Sequence, residues 1–224
     1  MAAWAGTIDD LPRTIPVFPL SGVLLLPGTR LPLNIFEPRY LDMVTDARKS
    51  HGLIGMVQPS GKSRDPMTPP IYQVGGAGRI GDYRETDDGR FLITLKGIAR
   101  FRIAEELAVT TAYRQVMADW TPYADDLAPG DGKEIDRERL LLGLRAYLEL
   151  LGSKADWDAV AKTPTPAMVD QLALICPFPA NEKQALLEAG DAYERGRVLT
   201  ALIEMAVLQG AGGGETGDTP PTRN

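Results

Sequence analysis

The sequence predicts an α+β protein, with a β-rich lobe followed by an all-helical lobe. Three observations carry this. Short apolar runs punctuated by Pro and Gly fill residues 15–120. A stretch rich in Pro, Gly and Asp follows at 121–133. Beyond it, leucine recurs at helical spacing as far as residue 209. The expected organisation is a flexible leader at 1–14, a β lobe at 15–120, a linker at 121–133, a helical lobe at 134–209 and a disordered Gly-, Thr- and Pro-rich tail at 210–224.

The elements follow in order. Residues Ile15 to Leu20 and Leu31 to Phe36 read as strands, joined through a Pro27-Gly28 turn. Both contain Pro, which cannot donate to a ladder and so marks edges or bulges. Pro38 suits the first turn of a helix. Leu41, Val44 and Ala47 share one face of that helix, and His51-Gly52 ends it. Leu53 to Val57 is a buried strand, and Pro59 to Pro70 a mobile polar loop. Ile71 to Gly81 and Tyr83 to Thr86 continue the β pattern. Asp87-Asp88-Gly89 turns the chain into Phe91 to Leu95 as a hairpin. Gly97 interrupts, Ala99 to Ile103 resumes, and a last strand spans Tyr113 to Trp120.

In the second half, Ile135 to Leu151 is a leucine-rich, buried helix. Thr165 caps a helix that begins at Pro166 and turns Val169, Leu172 and Ile175 inward. Pro177 and Pro179 stop it. Ala180 to Ala189 is a short helix closed by Gly190. Asp191-Ala-Tyr-Glu194 starts the last helix in the manner of a capping box, with Val198, Leu199, Leu202, Ile203 and Ala206 as its apolar stripe.

Composition narrows the function classes. The 224 residues carry a formal net charge of -6 at pH 7. Such a chain has no bulk attraction for phosphate backbones or anionic lipid, so neither nucleic acid nor membrane is the expected partner. Cys176 is the only cysteine and His51 the only histidine. No internal disulfide and no cysteine-based zinc site can form, which fits a reducing cytoplasm. The first residues lack a basic segment followed by an apolar core, and no run approaches the roughly 20 apolar residues of a membrane span.

Several motifs have plainer readings than their letters suggest. Gly76-Ala-Gly78-Arg-Ile-Gly81 has the letters of a dinucleotide fingerprint, but a hairpin follows where the pyrophosphate needs a helix N-terminus. Gly61-Lys62-Ser63 ends like a phosphate-binding loop, yet Met56 stands where that loop requires its first glycine. His51 has no Gly-x-Ser-x-Gly partner and is expected on the last carbonyls of its helix. Cys176 reads as a buried apolar filler. Glu37 reads as a carboxylate facing the helix dipole, with Arg39 bracing the same junction. The basic side chains of the β segment are offset by Asp82, Glu85, Asp87 and Asp88, giving a solvated face. No catalytic residue, cofactor or metal site is expected.

The run from Ile15 to Tyr40 resembles the start of the N-terminal domain of Lon proteases. So do Val74 to Arg102, with Gly78, Gly89, Gly97 and Arg100-Phe101, and the stretch from Leu186-Leu187-Glu188 to Leu202. The resemblance implies a PUA-like β pseudobarrel for the first lobe. It also implies a substrate-handling role without chemistry, since the ATPase and protease segments of Lon lie beyond the equivalent of this chain's end. We therefore expect a cytoplasmic, non-enzymatic module connected with protein quality control. Its partners would be unfolded polypeptides or a specific protein, met through the β lobe and the groove between lobes. Val23, Leu24, Leu25 and Leu26, a four-residue apolar run, are candidate contacts with Phe36 and Tyr40. RNA binding through the PUA-like lobe is the alternative, and a small-molecule enzyme a more distant one. The sequence leaves the oligomeric state open.

Overall fold

The computed structural model describes residues 6–61, 68–128 and 134–212. Its β lobe contains β1 (Thr14–Pro19), β2 (Arg30–Ile35), β3 (Leu53–Val57), β4 (Val74–Glu85), β5 (Phe91–Glu106) and β6 (Arg114–Asp119). The strand order is β2-β5-β4-β3-β1-β6, and β6 pairs back onto β5. Five strands thus close into a ring and β2 hangs from its outside. The closure depends on the 16-residue length of β5: its first half pairs with β2, its second with β6, and both halves with β4. The expected break at Gly97 is absent, as is the one at Gly81; each lies within a continuous strand beside a register shift.

Helix α1 (Pro38–Lys49) connects β2 to β3 and lets β1 and β3 run parallel. Pro38 takes the first turn as expected. Gly52, at φ +71°, ends the helix by donating its N–H to the Ala47 carbonyl at 2.8 Å. Ser50 donates there as well, so the His51 ring is not needed on those carbonyls. Its Nδ1 instead accepts the Leu53 N–H at 3.1 Å, and burial holds its pKa below the usual value.

The ring encloses Ile15, Val17, Leu53, Phe101, Val116 and Trp120. On the outer side, α1 packs Met43, Val44 and Ala47 against Ile54, Met56 and Leu95. The leader departs from its expected looseness: residues 8–10 form a 3-10 turn, Leu11 is buried, and Trp120 donates its indole N–H to the Pro12 carbonyl. Residues 1–5 lie outside the described chain, as do 62–67 of the expected mobile loop. The described ends of that loop are pinned by Ser60 N–H on the Pro70 carbonyl.

The expected linker is also structured where it is described. Residues Thr121–Leu127 form a kinked 3-10 segment that buries Tyr123. Residues 129–133 are outside the described chain. The helical lobe comprises α2 (Arg137–Leu150), α3 (Trp157–Lys162), α4 (Thr165–Ile175), α5 (Ala180–Glu188) and α6 (Ala192–Gly212). Helix α6 runs two residues past the expected start of the tail; residues 213–224 lie outside the described chain. Helices α2 and α6 are parallel, since Gly196 abuts Ile135, Gly143 abuts Ile203 and Gly210 abuts Leu150.

An apolar groove on the helical lobe

The apolar run at residues 23–26 is a strap between the lobes, and Leu24, Leu25 and Leu26 are all buried. Leu25 enters the core beneath α1, whereas Leu24 and Leu26 join the core of the helical lobe beside Leu140, Leu186 and Leu199. The strap lies flat on the β4–β5 hairpin because that hairpin carries glycines. A methyl group on Gly76 would sit 1.8 Å from the Leu25 carbonyl oxygen, and one on Gly97 1.9 Å from that of Leu26. The letters resembling a nucleotide fingerprint are therefore seats for a crossing backbone. Three of the expected contact residues form core, because their side chains alternate into two interiors. Val23 is half-buried beside them, and Tyr40 is buried with its ring 4.1 Å from that of Phe18. Phe36 alone of the six is well exposed, at 62%.

The junction between lobes is packed with paired polar groups. Arg100, only 2% exposed, projects from β5. Its guanidinium meets both carboxylate oxygens of Asp126 and donates to the carbonyls of Leu187 (3.0 Å), Ala189 and Gly190 (2.9 Å). It also lies 4.4 Å from the Tyr123 ring centroid. Gln58, fully buried, accepts from the Gly22 N–H and donates to the Ala180 carbonyl and to Gln184. Gln184 in turn donates to the Val74 carbonyl. These bonds occupy the place where an inter-lobe groove was expected.

Arg100 belongs to a wider pattern. Arg137 donates to the carbonyls of Val160 and Thr163 at the end of α3, and Lys183 to that of Leu174 at the end of α4. Arg195 reaches the Leu186 carbonyl near the end of α5 while pairing with Asp170 at 2.7 Å. Each cation adds a donor to carbonyls at a helix C-terminus and faces the negative end of a helix dipole.

The open apolar surface is elsewhere, between α2, α3 and α4. There a groove of about 490 Å³ is floored by Leu144, Tyr147, Met168 and Leu172. Its volume falls in the range of roughly 300–1,000 Å³ typical of binding clefts. Leu151 and Ile175 stand on its margin, 44% and 74% exposed. Ile175 was expected to face inward. The buried stripe of α4 is instead Val169, Leu172, Ala173 and then Cys176, which leaves Ile175 on the open side. One wall is α3, which periodicity did not mark because it is six residues long. Asp156 caps it through the N–H groups of Asp158 and Ala159, and Arg145 holds Trp157 from 3.9 Å.

The groove floor is apolar, and Lys154 joins its lining. Burial pushes the Cys176 thiol up to about 11, so it stays protonated at physiological pH. Burial likewise lowers the neighbouring Lys183 and raises the Tyr147 phenol. A protonated thiol is a poor nucleophile. Among the described residues, no three of His, Cys, Asp and Glu gather as a metal site, and no helix is long and apolar enough to cross a membrane.

Comparison with known proteins fits this architecture. The family model of the ATP-dependent protease La (LON) substrate-binding domain matches residues 14–205. The chain belongs to that family. Lon protease 2 of Myxococcus xanthus is 26% identical over 201 residues, and Lon protease of Anaeromyxobacter dehalogenans 25% over 203. Each alignment takes in 87% of this chain but 24% and 23% of the relative, so the chain spans about a quarter of their length. A crystal structure of a Lon N-terminal domain protein from Xanthomonas campestris superposes with a TM-score of 0.57 at 26% identity, covering 84% of this chain and 97% of that one. The N-terminal domain of Mycobacterium avium complex Lon protease gives the same TM-score at 19% identity, covering 85% and 97%, and shares the fold. The family match thus makes this LON-type chain a substrate-binding module of α+β fold.

Proposed function

We propose that the chain binds polypeptides that expose apolar side chains, and that the helical-lobe groove is its main contact. One observation carries the reading: Ile175, a large aliphatic residue 74% exposed, stands on the margin of a largely apolar groove. An apolar surface open to water is the kind that a partner covers. Binding comes from burial of partner side chains at about 25 cal/mol per Å² of apolar area. Ordering a flexible chain opposes it, so the affinity is about micromolar or weaker. Phe36 supplies a second, smaller contact on the β lobe. Binding without bond-making is this chain's part, and its clients are proteins bound for quality control in the cytoplasm, as the Lon relatives suggest.

The test is fluorescence anisotropy with a labelled, reduced and carboxymethylated globular protein. Ile175→Asp leaves the fold intact, because the side chain already faces water, and weakens binding about tenfold by removing apolar contact and adding charge. Phe36→Ser weakens it less. Unchanged affinity in Ile175→Asp refutes the groove as the contact.

A further inference from the structure

Among the described residues, β2 is the one strand with a single neighbour. Two observations fix which of its backbone groups face outward. The β2–β5 register runs without interruption through Pro32, paired with Thr94, although Pro has no N–H to give. Pro32 must therefore turn its nitrogen away from β5. Just before the strand, the Gly97 N–H donates to the Thr29 carbonyl at 2.9 Å, which puts the odd-numbered residues on the β5 side. Arg30, Pro32 and Asn34 then present their backbone groups to the free side. That edge offers three carbonyl acceptors and two N–H donors, at the two-residue repeat of an extended chain.

We propose that the free edge of β2 is a strand-addition site for an extended polypeptide segment, a second contact for the client bound by the groove. The inference rests on the reading that this chain binds polypeptides. The chemistry selects the occupant. A row of backbone donors and acceptors at strand spacing is satisfied in full only by another extended backbone. A second copy of this chain fits less well: two β2 strands paired over their full outward edge by a two-fold axis would bring Pro32 against Pro32, with both central hydrogen bonds lost, and any shifted register shortens the ladder. A client strand meets only one missing donor. Its alternate side chains would lie beside Pro32, Asn34 and Phe36, next to a depression of about 490 Å³ that includes Pro32, Asn34, Leu92 and Thr94. Recognition here is through main chain, so it tolerates varied sequence where the groove requires apolar side chains.

The experiment titrates the full chain with the synthetic peptide Lys-Leu-Thr-Leu-Thr-Leu-Thr-Lys and follows amide hydrogen exchange. Exchange at Arg30 and Asn34 slows roughly fivefold, the effect of one ordinary hydrogen bond each. A peptide N-methylated at alternate residues keeps every side chain and loses that protection. Asn34→Pro removes the second outward donor and weakens peptide binding roughly threefold to tenfold, whereas Asn34→Ala, which keeps that N–H, weakens it less and retains the protection at position 34. Protection around Ile175 with none at Arg30 and Asn34 overturns the strand-addition site while leaving the groove reading intact. Absence of peptide binding anywhere overturns both. Protection of β2 without peptide, accompanied by a doubled mass, identifies a second copy as the occupant and overturns the client assignment.

Discussion

The two lobes handle apolar residues in opposite ways. The β lobe lays the apolar run 23–26 on glycines of its β4–β5 hairpin, so that Leu25 is buried in its own core while Leu24 and Leu26 are buried against the helices. The helical lobe leaves isolated aliphatic residues in water: Leu142, Leu151, Ile175 and Leu208 are all exposed. Their cohesion differs as well. A closed ring of strand ladders holds the first lobe, whereas the second depends on Arg and Lys side chains over helix ends. Dense local hydrophobicity in this chain therefore marks a structural joint, and the surface suited to a partner is made of residues that are far apart in sequence.

The sharpest way to break this comparison is at Arg100, where the lobes meet. Arg100→Met strands the buried Asp126 carboxylate and uncaps the end of α5. It costs about 3–5 kcal/mol, the usual loss when one partner of a buried pair is removed, and lowers the urea midpoint. Arg100→Lys recovers little, since one ammonium cannot reproduce the fork that serves Asp126 and three carbonyls. Next comes the strap. Gly76→Ala forces a methyl group onto a backbone oxygen and costs about 3 kcal/mol in denaturant unfolding. Gly190→Ala, where nothing lies within 4 Å of the added carbon, changes stability by under about 0.5 kcal/mol. Equal effects at the two glycines would remove the strap's role.

A smaller effect tests the helical lobe. Cys176, with its thiol held up to about 11 by burial, reacts with a disulfide reagent at pH 7.5 far more slowly in the native protein than in denaturant. Rapid native labelling would mean that the groove floor opens to water.

The smallest effect concerns pH. Burial raises the Asp170 carboxyl above its ordinary value, although Arg195 pulls the other way. A carboxyl with a native pKa above its unfolded one binds more protons in the native state. Its contribution to stability is therefore most favourable at low pH and declines as pH rises from the unfolded pKa to the native one. The stability of wild type relative to Asp170→Asn should accordingly increase as pH falls through that window, measured by urea midpoints at several pH values. A flat difference would show that the Arg195 pair offsets burial, and a difference that declines as pH falls would show that the pair outweighs it.

Much of this architecture was legible in the residues, for reasons visible at particular positions. Pro38, the Asp87-Asp88-Gly89 turn and the apolar face of α1 act locally, and each element formed where local chemistry put it. Gly81 and Gly97 misled because a missing side chain reads as a break in a strand; Gly97 in fact makes room for the Leu26 carbonyl. The 121–127 segment looked like a linker because Tyr123 and Asp126 are held by Arg100, a partner more than 20 positions away that no local pattern reveals. Helix α3 was hidden by its length. The groove was hidden because its floor comes from α2 and α4 together, and because Ile175, read as inward beside Leu172, lies off the buried face of α4.

The strap also bears on how the protein is made. Leu24 and Leu26 leave the ribosome early, yet the core they complete includes Leu199 and Ile203 of the last helix. At about 5–20 residues per second, roughly 10–35 s of synthesis separate these leucines from their final neighbours. Throughout that interval the nascent β lobe presents a greasy loop with nowhere to go, so a protein of the kind proposed to receive sticky chains is itself a sticky chain until α6 has been made.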